Sequence, residues 1–98
     1  MEEQEFVNIV NYQEMSRYSK VIKGDEGQDL IVNWGWDHAI GYWYDITDES
    51  IGDDPYDQLV AEQSTVLSGL QRGRFFEFLI KIKAPREHIE NVGVDLPF

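Results

Sequence analysis

Apolar and polar positions are most sharply patterned between Asp29 and Thr47. Residues 29–36 and 41–47 are rich in tryptophan, tyrosine and β-branched side chains, which predicts two strands joined by a tight turn. If Asp37 faces Gly41, then Trp36 faces Tyr42, Trp34 faces Tyr44 and Val32 faces Ile46, giving one continuous aromatic and aliphatic face. The opposite face then carries Ile31 with Thr47, Asn33 with Asp45 and Gly35 with Trp43. A slip of one residue would set Val32 against Asp45 and mix the faces, so the unslipped register is expected. Gly35, with no side chain, leaves room for the Trp43 ring to lie across the neighbouring strand.

Weaker patterns flank this hairpin. Between Glu5 and Tyr12 the β-branched Val7, Ile9 and Val10, with Asn8 and Asn11, suggest a short strand. Asn11 and Glu14 have the form of an N-cap and capping box, and Tyr12, Met15, Tyr18 and Ile22 recur near the helical period, predicting a helix over 12–22. Gly24-Asp25-Glu26-Gly27 reads as a turn. Asp53-Asp54-Pro55 opens a second predicted helix over 55–70, whose stripe is Tyr56, Leu59, Val60, Gln63, Val66, Leu67 and Leu70.

Further on, Phe76, Phe78, Ile80 and Ile82 alternate with Glu77, Lys81 and Lys83, so Arg74 to Lys83 reads as a strand, with Phe75 and Leu79 adding apolar area to its second face. Pro85 to Asn91 suggests a short helix ended by Gly93, and the tail Val94 to Phe98 should dock through Leu96 and Phe98. The predicted order is β-α-β-β-α-β plus a terminal helix, the split βαβ or ferredoxin-like arrangement. It is an α+β fold in a single domain over residues 1–98, with a four-stranded antiparallel sheet and helices on one face. Should residues 3–20 form one helix, a three-stranded α+β domain with an N-terminal helix replaces it.

Charge changes the picture most. The formal net charge is −11, and residues 24–71 hold Asp25, Glu26, Asp29, Asp37, Asp45, Asp48, Glu49, Asp53, Asp54, Asp57 and Glu62 without one Lys or Arg. Such a field repels nucleic acid and anionic membranes and favours a basic protein surface. Part of it has a structural use, because Asp53, Asp54 and Asp57 suit the positive end of a helix dipole. The absence of cysteine removes disulfides, thiolate zinc sites and cysteine nucleophiles. No run approaches a membrane span, and Met1 to Glu5 is acidic where a secretory signal is basic, so a soluble, cytoplasmic protein is expected.

Candidate chemistry narrows quickly. Counted from Asp45, an EF-hand loop would need glycine at its sixth place and glutamate at its twelfth; Gly52 falls at the eighth and Tyr56 at the twelfth. His38 and His88 are too few and too far apart for a zinc cluster; His38 reads as a turn residue beside Asp37 and His88 as a surface residue. The serines lack a nucleophile elbow and the glycines form no phosphate loop, so neither an enzyme nor a cofactor is expected. Aromatic rings on such a sheet can bind RNA, but only with basic residues around them, which are missing here.

What remains is a binding surface. Trp43, on the face with Asn33, Asp45 and Thr47, suits an Arg-rich partner through cation–π contact and charge pairing. The expected partner-binding residues are Trp43, Asp45, Asp48, Glu49, Asp53, Asp54, Asp57 and Asp37, with Asp25 and Glu26 alongside. In size and charge the chain resembles small acidic phage-type inhibitors such as anti-CRISPR and anti-restriction proteins. That resemblance implies an inhibitor occupying the nucleic-acid site of a DNA- or RNA-handling enzyme, its carboxylates imitating a phosphate row. The alternative is a regulatory or structural subunit that forms a homodimer through an apolar sheet face of Ile31, Trp43, Phe75 and Leu79.

Overall fold

Four strands follow one another along the chain, and two helices close over them. In the computed structural model, which describes residues 15–98, these are β1 (Tyr18–Lys23), β2 (Asp29–Asp37), β3 (Gly41–Thr47), the single turn α1 (Pro55–Gln58), β4 (Leu59–Ser64), α2 (Arg72–Lys81) and α3 (Arg86–Gly93). The sheet is antiparallel throughout, in the order β1-β2-β3-β4. The described residues thus form a single α+β domain with a four-stranded antiparallel sheet, but their elements run βββαβαα and not in the ferredoxin-like order. The strand expected at residues 5–12 and the cap at Asn11 and Glu14 lie outside the described residues.

The β2–β3 hairpin has the expected register: Asp37 faces Gly41, Trp36 faces Tyr42, Trp34 faces Tyr44 and Gly35 faces Trp43. The turn at residues 24–27 is also as read, closed by Gly24 N–H donating to the Gln28 carbonyl at 2.8 Å, with Gly27 at φ 80°.

Three elements differ, each because tertiary pairing outweighs a local pattern. Over 18–22 the chain is strand and not helix: β2 needs a partner on its outer edge, and Tyr18, Lys20 and Ile22 pair with Trp34, Val32 and Leu30. Met15 extends that pairing as an isolated bridge to Asp37. The helix predicted over 55–70 stops after one turn, because residues 59–64 pair with β3 instead, Ser64 facing Trp43 and Gln63 facing Tyr44. Asp48 N–H, donating to the Gln58 carbonyl at 2.8 Å, draws the two chains together at the start of that ladder.

The strand predicted over 74–83 is helix α2. Phe75, Phe78, Leu79 and Ile82 lie at i, i+3, i+4 and i+7, and Phe75, Leu79 and Ile82 are buried while Ile80 is exposed. The alternation of Phe76, Phe78, Ile80 and Ile82 competed with this stripe over too short a run for periodicity to decide. The terminal helix begins beside Pro85, close to its expected start, and reaches Gly93.

Both helices cover the aromatic face of the sheet. Val32, Trp34 and Tyr42 meet Phe75, Leu79, Ile82, Ala84 and Val92 in one cluster. Tyr44 stacks on Phe78 with centroids 3.9 Å apart, and Tyr42 on Phe75 at 5.2 Å. His88 is not on the surface: it is buried, its Nδ1 accepts the Trp34 Nε1–H at 3.1 Å, and its ring lies against Tyr18 at 4.2 Å and Phe98 at 4.7 Å. That hydrogen bond requires a neutral imidazole, and burial pushes its pKa down to about 4.

The ends of the helices are tied to the sheet and the tail. Ala84 N–H donates to Leu79 O and Lys83 N–H to Ile80 O, a Schellman ending that holds Lys83 at φ 58°. Lys20 Nζ donates to the carbonyls of Ile82 and Lys83 at 2.7 and 3.2 Å, a cation at the negative end of α2. Tyr42 Oη–H donates to Leu96 O at 3.1 Å and faces Asp95 Oδ1 at 3.3 Å; burial, with Asp95 beside it, pushes the phenol up to about 12. Phe98 docks into the aromatic cluster as expected, whereas Leu96 stays half exposed.

Candidate functional site

The second face of the sheet is where Trp43 was expected to stand free. It does lie there, but only 9% of it is exposed. The guanidinium of Arg17 sits 5.7 Å from the centre of its ring, so the chain supplies the cation assigned to a partner. Gly35 makes room for more than the indole: a Cβ there would come within 2.0 Å of the Ser16 carbonyl oxygen and 3.1 Å of Trp43 Cζ2. Ser16 N–H donates to Trp36 O at 2.7 Å, and its Oγ accepts the Trp36 N–H at 3.0 Å, so the chain entering β1 passes tightly over this glycine.

Next to Trp43, Ser19 Oγ–H donates to Asn33 Oδ1, and Asn33 Nδ2–H donates to Asp45 Oδ1 at 2.8 Å. Asp45 in turn faces Glu62 across the β3–β4 ladder. Phe75 and Leu79, expected on this face as part of a self-association surface, are fully buried on the other one, because α2 is a helix and not a strand. The apolar sheet face proposed for a homodimer therefore loses two of its four residues.

Asp45 apart, the predicted acidic residues separate into three groups. Asp37 is at the β2–β3 turn, where its Oδ1 accepts the Ala39 N–H at 2.7 Å and lies 3.9 Å from His38 Nδ1. Asp48 is buried: its Oδ1 accepts the Ser50 hydroxyl at 2.6 Å and the Ser50 N–H at 3.0 Å, and the serine hydroxyl above all holds its carboxyl below the usual range. Its task is to shape the β3–β4 connection. Glu49, Asp53, Asp54 and Asp57 are exposed on that connection, where Asp54 also caps α1 by accepting the Tyr56 N–H at 2.9 Å.

The β1–β2 turn lies at the same end of the sheet, and Asp25, Glu26 and Asp48 all line one groove of about 600 Å³ there. Its apolar wall includes Ile22, Leu30, Ile46, Val60 and Phe78. Exposed carboxylates of Asp25, Glu26, Asp29, Glu49, Asp53, Asp54 and Asp57 thus share one end of the molecule, and Lys23 there is already paired with Asp29 at 2.5 Å. Two residues of this end escaped the sequence reading. Tyr56, assigned to a buried helix stripe, is 88% exposed, and Ile51 is 52% exposed. The proline after the Asp53-Asp54 pair signalled the helix start correctly, but nothing local signalled that it would end within one turn.

Among the described residues no group of His, Asp and Glu side chains is placed to hold a metal ion, and no helix is long and apolar enough to cross a membrane. No family model, curated protein or solved structure matches the chain significantly.

Proposed function

We propose that the protein is a small acidic binding module that docks a basic protein surface, acting in the cytoplasm by binding and not by catalysis. The partner we favour is a DNA- or RNA-handling enzyme whose nucleic-acid site the module occupies as an inhibitor. The observation that carries this reading is the acidic end: exposed carboxylates from the β1–β2 turn and the β3–β4 connection lie at the same end of the sheet as the exposed Tyr56 and Ile51. Carboxylates supply long-range steering, while an exposed tyrosine and isoleucine supply the apolar contact that turns an encounter into a complex. Trp43 and Asp48 have smaller parts in this version than the sequence suggested, since Arg17 and Ser50 already engage them.

A pull-down at low salt, comparing the wild type with the combined variant Glu49→Gln, Asp53→Asn, Asp54→Asn and Asp57→Asn, tests it. Asparagine at 54 keeps a capping side chain, so the fold should survive. Basic nucleic-acid-binding proteins should be retained by the wild type, released steeply as salt rises, and lost by the variant. An unchanged set of partners with the variant would refute the reading.

A further inference from the structure

We infer that the free edge of β4 captures an extended, Arg- or Lys-bearing segment of the partner as a fifth strand. This rests on the reading of a basic partner and adds the mode of capture. β4 ends the sheet, and its outer side pairs with no described strand. The ladder shows which groups point outward. Thr65 N–H bonds inward to Tyr42 O, and Ser64, one residue earlier, turns its N–H to Ser68 Oγ at 2.7 Å and its carbonyl to the Ser68 and Leu70 amides. By antiparallel alternation Glu62 directs its N–H and carbonyl away from β3 as well, and no described hydrogen bond uses them. Ser68 therefore closes the edge at Ser64 and leaves it open at Glu62.

The flanking side chains favour one occupant. Beside the open position lies a cavity of about 300 Å³ lined by Ile40, Trp43, Glu62 and Leu67, an apolar and aromatic wall with one carboxylate. Leu67 is 77% exposed and Val60 49% exposed. An alkyl chain ending in a guanidinium or ammonium group fits that chemistry, its stem on Leu67 and Trp43 and its charge at Glu62. A second copy of this chain fits badly, because antiparallel pairing of two β4 edges would bring Glu62 near its own counterpart, with Asp45 adjacent. Strand addition supplies main-chain hydrogen bonds for affinity and alternate side-chain pockets for selection.

The test is an NMR titration of the labelled protein with a short peptide of alternating Arg and Val residues. Amide shifts should centre on residues 59–64 with the Trp43 indole, and the Glu62 amide should gain protection from exchange. The same peptide N-methylated at alternate positions, and the variant Glu62→Pro, should each lose roughly tenfold or more in affinity, whereas an Asp-Val peptide should not bind. The methylated peptide keeps the test decisive if Glu62→Pro does not fold. Shifts confined to residues 49–58, equal binding of the methylated peptide, or a wild-type dimer joined through β4 would overturn the inference. Pull-down partners retained by Glu62→Pro but lost by the acidic-end variant would overturn strand capture while leaving the proposed function intact. Edge binding of the peptide without any basic partner in the pull-down would do the reverse.

Discussion

His88 should make the stability of this protein depend on pH in a way that a single substitution isolates. The imidazole is 5% exposed, accepts a hydrogen bond from Trp34 and touches Tyr18 and Phe98, with burial as the cause of its lowered pKa. The folded value of about 4 lies below the ordinary 6.5, so on acidification the unfolded chain takes up the proton first. The stabilisation is whole above about pH 6.5 and is lost progressively as pH falls toward the folded value. At 1.36 kcal/mol per pKa unit, roughly 2 kcal/mol should be gone by pH 5 and at most about 3 kcal/mol near pH 3.5. Asp48, whose carboxyl is held below the usual range by the Ser50 hydroxyl, also loses stabilisation on acidification, so the wild-type curve alone does not isolate the effect. Urea unfolding of wild type and His88→Gln across this range does, because the glutamine keeps an acceptor for Trp34 but does not titrate. The difference in unfolding free energy between the two should shrink by the stated amount. A flat difference, or a His88 ring titrating near 6.5 by NMR, would refute the burial argument.

Other perturbations are equally direct. Gly35→Ala should cost several kcal/mol, on the order of 3 or more, because the clash is with the Ser16 backbone and not with a movable side chain; urea midpoints measure it. Lys83→Gly should stabilise by about 0.5–1 kcal/mol, seen as a higher Tm, since glycine takes up the positive φ without Cβ strain. Lys20→Met should destabilise by about 1–2 kcal/mol by removing the donor to the Ile82 and Lys83 carbonyls just past α2, an effect absent if the two hydrogen bonds do not form in solution. Ultraviolet titration should find one tyrosine ionising only near pH 12, and Tyr42→Phe should remove that step and speed amide exchange at Leu96.

The hairpin was legible because its side chains leave one sensible register: any slip puts Asp45 or Thr47 among the aromatics. The capping of α1 was legible for a local reason too, as Asp54 and Pro55 act within one turn. What was hidden depended on distant partners. Residues 59–64 and 18–23 are strands because β3 and β2 have edges to fill, and the Phe75–Ile82 stripe is helical because the sheet below needs a cover. The same blindness shaped the functional reading. Asp48 and Trp43 looked free because Ser50 is a short-range partner without a periodic signature, and Arg17 reaches the indole only after β1 has paired. The surplus of carboxylates, by contrast, was legible from charge distribution alone, while their meeting at one end depends on the strand order.

The strictly consecutive strand order has a consequence for how the chain is made. Among the described strands every pairing joins neighbours in sequence, so loop-closure costs are small and the meander can form as it leaves the ribosome. Its cover comes last: Phe75, Leu79 and Val92 all follow β4. Until they emerge, Trp34 and Tyr42 stand on a half-built face open to water and to other nascent chains, the kind of surface that recruits chaperones and seeds aggregation. A stalled or truncated product ending near Gly69 should therefore be the sticky species, and the helices of residues 72–93 the step that ends its exposure.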